Sequence, residues 1–407
     1  MKVFVGDIKT GMRLAEDVKG ANGRFLLAAG TVIEEQHLRV FNIWGVSEVE
    51  VEGSGGGEND SDFDPALVER AEEYAGRLFA NVNKDSEPVR LLKGICVKRY
   101  AGMLSENLSL PPLPEYGNEL SDIPEDHLYA DAAAFMTSGI RLSSFPDIYY
   151  KIMNALNDPT ATSESLADII SKDSGLSAKL ISLVNSPLYG FSLPVESLSR
   201  AVSLVGTSGL CQLALSVSVM ESFKGSGADV LSMADFWKHS LACAVFCRIF
   251  ASQIPGTSQD KCFVVGMLHD LGRLVLMQHH PDEISLTFRL CKFHGLTGCQ
   301  AEVKVFGFDH CQLAGELFEH WNFPPSLIVG VAGHHGDRSR ELSIESAICS
   351  VADMMAVAMQ YGSDGPGLVG APYPGAWDVL GLPGGALATS VLKARRQITD
   401  ILAIFGG

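Results

Sequence analysis

The chain has 407 residues, of which 46% are hydrophobic and 19% charged, with a formal net charge of −17. That length exceeds one ordinary core, so two or more domains are expected, and the composition is globular rather than disordered or fibrous. Strong negative charge without any run of lysines or arginines argues against a direct nucleic-acid partner.

The opening MKVFVGDIKTGM has no charged-then-apolar leader pattern, and no stretch reaches the roughly 20 apolar residues of a membrane span. A cytoplasmic protein without a membrane partner is expected. Residues 1–52 read as a small β-rich α+β unit: VFV, RLAEDV and FLLAA are strand-like, and Asn22-Gly23 between the last two suits a type I′ hairpin turn. EEQHLRVFNIWG then reads as helix, with Leu38, Phe41, Ile43 and Trp44 apolar, before alternation from Val46 to Val51 returns to strand. This pattern resembles the N-terminal domain that precedes many HD-GYP phosphodiesterases, and a generic small β domain accounts for the same residues.

Residues 53–64, GSGGGENDSDFD, form an acidic glycine-rich linker, and its glycines lack the GxxxxGK[ST] frame of a phosphate loop. Residues 65–135 read as a helical and irregular connecting region. Pro65 opens a helix with Leu67, Ala71, Ala75, Leu78 and Phe79 on one face, and a second helix runs through Val89 to Tyr100. Pro111, Pro112, Pro114 and Pro124 make residues 104–125 irregular. From about residue 140 apolar stripes recur at helical spacing: Ile148, Ile152 and Leu156; Leu166, Ile169 and Ile170; Leu176, Leu180 and Leu183; Leu210, Leu213 and Val217. No segment alternates like a strand over a useful length, so the fold is expected to be mainly α.

The stretch from Leu142 to Pro146, Asp158-Pro159, Asp173, Asn185-Ser186 before Tyr189-Gly190, and Ala201 through Gly206 resembles the first half of an HDOD domain. From about Phe236 to Asp353 the HD pattern follows, so the resemblance spans residues 136–361. Residues 362–407 are a C-terminal extension with a terminal helix, on which Leu392, Ile398 and Leu402 recur; packing on the domain is expected, with self-association and an oligomer as the alternative. Asn185 and Ser186 end an apolar helix, where short polar side chains satisfy orphan backbone groups. A structural role is expected for both.

CFVVGMLHDLGRLVL, residues 262–276, is apolar on every side except at His269, Asp270 and Arg273. A helix hydrophobic all round is buried, so an ionised Asp270 needs a cationic partner. Arg273, three residues on, supplies that charge in one reading and a metal ion in the other. Asp353, inside the apolar run Ile348 to Met355, repeats the argument. His239 lies on a face with Phe236, Cys243 and Phe246, where a lone histidine is normally a core residue. His310 starts a helix, and His334 and His335 precede a polar turn.

The HD-superfamily resemblance implies that His239, His269, Asp270 and Asp353 hold one metal, and that Asp270 bridges to a second ion held by His310, His334 and His335. Imidazole with carboxylate suits iron, manganese, nickel or zinc, so one or two such ions are expected. Asp235 is within one helical turn of His239 and reads first as an N-cap. His279, His280, His294 and His320 match no ligand position. The nine cysteines form no CxxC pair and are expected to be buried reduced thiols rather than a redox or zinc set.

Two functional readings follow from the resemblance. The first is a bacterial-type signal-transduction module that acts on a protein partner. The second is a metal-dependent phosphohydrolase acting on a nucleotide or another phosphate ester, with Asp270 and Arg273 catalytic. Enzymatic relatives usually read HDxGK where this chain reads HDLGR, and the Gly-Tyr-Pro signature of cyclic-di-GMP phosphodiesterases is replaced by GDRSREL. No GxSxG elbow or HExxH helix is present. The regulatory reading is preferred, and a di-iron site acting on oxygen uses the same ligand chemistry.

Overall fold

The structure, a computed structural model, describes residues 2–4, 8, 10–19, 25–34, 36–37, 40–41, 46, 48–52, 63–82, 86–113, 122–140, 145–158, 160, 162–223, 231–336 and 342–405. The fold is mainly α with a small N-terminal β region.

In that region β1 (Lys2–Phe4), β2 (Arg13–Leu14), β3 (Val18–Lys19), β4 (Phe25–Leu27) and β5 (Glu48–Glu52) are all short. β5 is central to an antiparallel sheet of order β1-β5-β2, with Val3 opposite Val49 and Leu14 opposite Val51. β3 pairs antiparallel with β4. RLAEDV is therefore not one strand. It divides between two sheets, because Asp17 Oδ1 leaves the ladder to accept from the Ala29 amide at 2.9 Å, turning the chain between β2 and β3. The Asn22-Gly23 turn and the linker through residue 62 lie outside the described residues. So does most of the expected helix, of which residues 36–37 and 40–41 are helical and Phe41 is wholly buried. Leu14, Val18, Ile33, Phe41, Val49 and Val51 share a separate small core.

α1 (Pro65–Leu78) starts at Asp64, whose carboxylate accepts from the Ala66 amide, and α2 (Glu87–Ser105) follows it. Both pack into the large helical core: the Tyr100 hydroxyl donates to Ala358 O, and the Val369 amide donates to Leu78 O. Apolar side chains spaced three and four apart allow each helix to bury one face here, at about 1.5–3 kcal/mol per fully buried large residue. Residues 106–113 and 122–131 contain no helix, in keeping with their prolines.

The helices α3 (Ala132–Thr137), α4 (Asp147–Asn157), α5 (Ser163–Ser171), α6 (Ser174–Val184), α7 (Leu198–Val205) and α8 (Thr207–Phe223) form the first half of the larger unit. Asp173 caps α6 through the Leu176 amide. Asn185, at its other end, donates to Val195 O at 2.8 Å and accepts from Val195 N at 2.7 Å, and Ser186 Oγ donates to Leu183 O. The pair therefore fastens the following loop to the end of its helix.

The second half comprises α9 (Met233–Ala251), α10 (Gln259–Leu268), α11 (Leu271–His279), α12 (Pro281–His294), α13 (Gly298–Phe306), α14 (His310–His320), α15 (Pro325–Ala332) and α16 (Ile344–Ala358). α9 and α16 run through the middle and are buried on nearly every side. Gly266 lets α10 press against α9, since a Cβ there would lie 2.8 Å from Ala244 Cα. α17 (Ala376–Leu380) and α18 (Gly385–Phe405) complete the chain. α18 packs on α9, burying Leu387, Ala394, Ile398, Ile401 and Phe405. Leu392 is 56% exposed and stands off the buried stripe, because Ala394 rather than Leu392 is one helical turn before Ile398. Among the described residues no single helix is long and apolar enough to cross a membrane.

Candidate metal centre

The seven side chains singled out as ligands converge in the middle of the second half. His239 projects from the first turns of α9 and Asp353 from α16; His269 and Asp270 form the break between α10 and α11. His310 is the first residue of α14, capped by Asp309, and His334 and His335 stand just past the end of α15. Gly272 makes the α11–α14 approach possible: a Cβ there would lie 2.1 Å from His310 O. Ser232, not Asp235, caps α9. Asp235 is exposed, and its amide rather than its carboxylate joins the cap.

Two overlapping sets share Asp270. On one side His239 Nε2 lies 3.1 Å from Asp353 Oδ1 and 3.7 Å from Asp270 Oδ2, and His269 Nε2 lies 3.3 Å from Asp270 Oδ2. His239 Nε2 and His269 Nε2 are 3.3 Å apart. On the other side His310 Nε2 lies 3.2 Å from Asp270 Oδ1 and 3.3 Å from His334 Nε2. His335 Nε2 stands 3.8 Å from Asp353 Oδ2 at the outer edge, where its side chain is 22% exposed. The two carboxylate oxygens of Asp270 thus face different imidazole groups.

The outer nitrogens fix which atoms point inward. His269 Nδ1 meets Gly266 O at 2.9 Å and His334 Nδ1 meets Val331 O at 2.6 Å, so each Nδ1 donates and each Nε2 presents a lone pair to the centre. His310 Nδ1 meets Glu302 Oε2 at 2.6 Å, which orients its ring the same way. Lone pairs of two imidazoles facing each other at 3.3 Å repel unless a proton or a cation lies between them. Asp270 Oδ1 and Asp353 Oδ1 are buried without a hydrogen-bond partner, which points to the same requirement.

Arg273 is 2% exposed and its guanidinium is enclosed by Glu302 (2.9 Å), Asp270 (3.2 Å) and Asp364 (3.4 Å). Burial acts to raise the carboxyl of Asp270, but the Arg273 and His269 charges hold it well below its ordinary range. Asp353 is likewise held low against burial, by the adjacent imidazoles of His239 and His269, and Glu302 is held at about 2 against burial by His310 and Arg273. Burial raises Asp364. Asp270, Asp353 and Glu302, all held ionised, stand against one guanidinium and leave at least two negative charges to be matched. Without an ion, protons serve: burial would lower His269 and His310, yet Asp270 lifts the first and Glu302 the second well above the ordinary imidazole value. His334 is lowered to about 4 by burial and His335 well below its usual value by burial and the neighbouring imidazoles, so both remain neutral donors. The donor set therefore fits one or two divalent transition-metal ions: His239, His269, Asp270 and Asp353 for one, Asp270, His310 and His334 for the other, with His335 beside them at the outer edge.

Residues 142–336 match the family model of the HDOD domain. The chain contains an HDOD domain. An uncharacterized protein of Treponema pallidum (strain Nichols) is 24% identical over 199 residues, 48% of this chain and 37% of that protein, so the match spans little more than a third of that relative. An HDOD domain protein of unknown function from Geobacter sulfurreducens superposes with a TM-score of 0.55 at 24% identity, over 67% of this chain and 97% of its own. A candidate phosphohydrolase from Shewanella amazonensis SB2B follows with a TM-score of 0.51 at 20% identity, covering 65% and 94%. These likenesses show a shared fold.

Around the HDOD pocket the structure adds residues that sequence reasoning passed over. Glu302, 1% exposed, orients His310 and pairs with Arg273; its place on the apolar face of CQAEVKVF would have exposed it to the buried-charge argument applied to Asp270. Asp364 lies in the SDGPG turn, where no periodicity marks it. All nine cysteines are free thiols, as expected, but Cys299 is half-buried rather than enclosed, and it adjoins Cys311 and His310.

Proposed function

We propose that the chain is a bacterial-type signal-transduction module whose HDOD pocket holds one or two transition-metal ions on His239, His269, Asp270, His310, His334, His335 and Asp353, and whose metal-bound shape is read by a protein partner. The reading is supported above all by the charge at the mouth of the pocket. A cleft of about 1120 Å³ reaches His335, and its wall carries Asp131, Asp309, Glu316 and Glu319 against one lysine, Lys304. Phosphate recognition needs exposed cations. Arg273, the residue that would replace the phosphate-binding lysine of enzymatic relatives, is enclosed and engaged with three carboxylates.

The second reading, a metal-dependent phosphohydrolase acting on a nucleotide or another phosphate ester, draws support from Asp270, whose two oxygens face separate imidazole groups as a two-metal hydrolytic site requires. The N-terminal β unit is proposed to be the kind of domain that precedes HD-GYP domains, with a cytoplasmic location for the whole. The test is metal analysis of purified protein together with a hydrolysis screen of nucleotides and phosphodiesters. Bound metal without turnover, lost in Asp270→Ala, is the expected result. Metal-dependent turnover abolished by Asp270→Ala would overturn it in favour of the hydrolase.

A further inference from the structure

Beside the buried histidines stands a second cluster of ligating groups with different chemistry. Ligand atoms of Cys299, His310, Cys311 and His335 lie within 4.8 Å of one another. Cys311 Sγ is 3.6 Å from His310 Nε2 and 3.5 Å from His334 Nδ1, so it touches the buried centre; Cys299, Cys311 and His335 also line the acidic cleft. Two thiols and two imidazoles make the donor set of a tetrahedral site for a thiophilic ion such as zinc, whereas the carboxylate-bearing set around Asp270 also accepts harder ions such as manganese. Asp309, Glu316 and Glu319 on the same cleft wall would draw divalent cations toward it.

We infer that Cys299, Cys311, His310 and His335 form a zinc site that competes with the Asp270/His310/His334 position for the single inward lone pair of His310. Glu302 occupies Nδ1, and one Nε2 lone pair cannot serve two ions. Zinc(II) enters from the cleft, displaces one proton from each thiol, and takes His310 from the second ion of the centre. The zinc site stands on its own donor set; its competitive effect rests on the two-ion reading above.

The test uses the full chain stripped of metal, with cobalt(II) as a spectroscopic probe of thiolate ligation. Cobalt(II) should give a thiolate-to-metal charge-transfer band that zinc(II) abolishes and that is missing from a Cys299→Ser/Cys311→Ser double variant of unchanged helical content. No such band, or a band persisting in the double variant and so arising from Cys243, Cys247 and Cys349, overturns the assignment. Equimolar zinc(II) should also lower manganese(II) binding by about one ion per chain in the wild type and not in the double variant; equal loss in both overturns the competition. Should manganese(II) fail to bind the wild type at all, the two-ion reading falls, while the cobalt(II) band still decides the zinc site. Asp270→Asn separates the two further, for it should lose manganese(II) and keep the thiolate band.

Discussion

Glu302→Gln is the most informative single change, because it removes a charge and leaves the shape. Glu302 holds Arg273 at 2.9 Å and the Nδ1 of His310 at 2.6 Å, all in an interior with no water access on that side chain. A carboxyl held at about 2 instead of 4.5 corresponds to about 3 kcal/mol of folding free energy at neutral pH. That agrees with the 3–5 kcal/mol, roughly, expected when one partner of a buried ion pair is lost. The sign follows from the lowered value: the contribution is fully present above pH 4.5 and disappears as pH falls toward 2. Urea denaturation of the metal-stripped protein, followed by tryptophan fluorescence, should therefore show the variant less stable by about 3 kcal/mol at pH 7, with the gap narrowing below pH 4.5. In the loaded protein the freed His310 ring should cost about 10–100-fold in affinity for the second ion. A gap under about 1 kcal/mol at pH 7, or one that does not narrow in acid, would refute the role given to Glu302.

Three further outcomes follow from the same geometry. Gly272→Ala places a methyl 2.1 Å from His310 O, so it should destabilise by about 3 kcal/mol or more and lower the metal content, measured by thermal melting and metal analysis; a near-normal melt would mean that α11 and α14 separate readily. Asn185→Ala removes both bonds to Val195, at a cost of about 1–3 kcal/mol, and should quicken limited proteolysis between residues 187 and 196; unchanged cleavage would show that the loop is held otherwise. Metal binding should strengthen as pH rises through neutrality, since His269 and His310 carry protons above their ordinary range in the ion-free centre and must release them; calorimetric titration in buffers of differing ionisation heat reads that release, and pH-independent binding would contradict it.

What the amino-acid order determined by itself was local and periodic. Apolar spacing marked α1, α2, α4, α5, α6 and α8, while shorter or more polar helices such as α3, α12 and α13 went unmarked. The isolated acids in the apolar runs around Asp270 and Asp353 announced a buried charge, because an unpaired carboxylate is too costly to bury. What only the tertiary structure decided was which groups meet. Sequence spacing carries no information on how α2 and α18 join the HDOD core, on Glu302 and Asp364 enclosing Arg273 from distant helices and turns, or on Cys299 and Cys311 standing beside His310. Those contacts depend on how close whole helices approach, and Gly266 and Gly272 set that distance by having no side chain to keep their neighbours away.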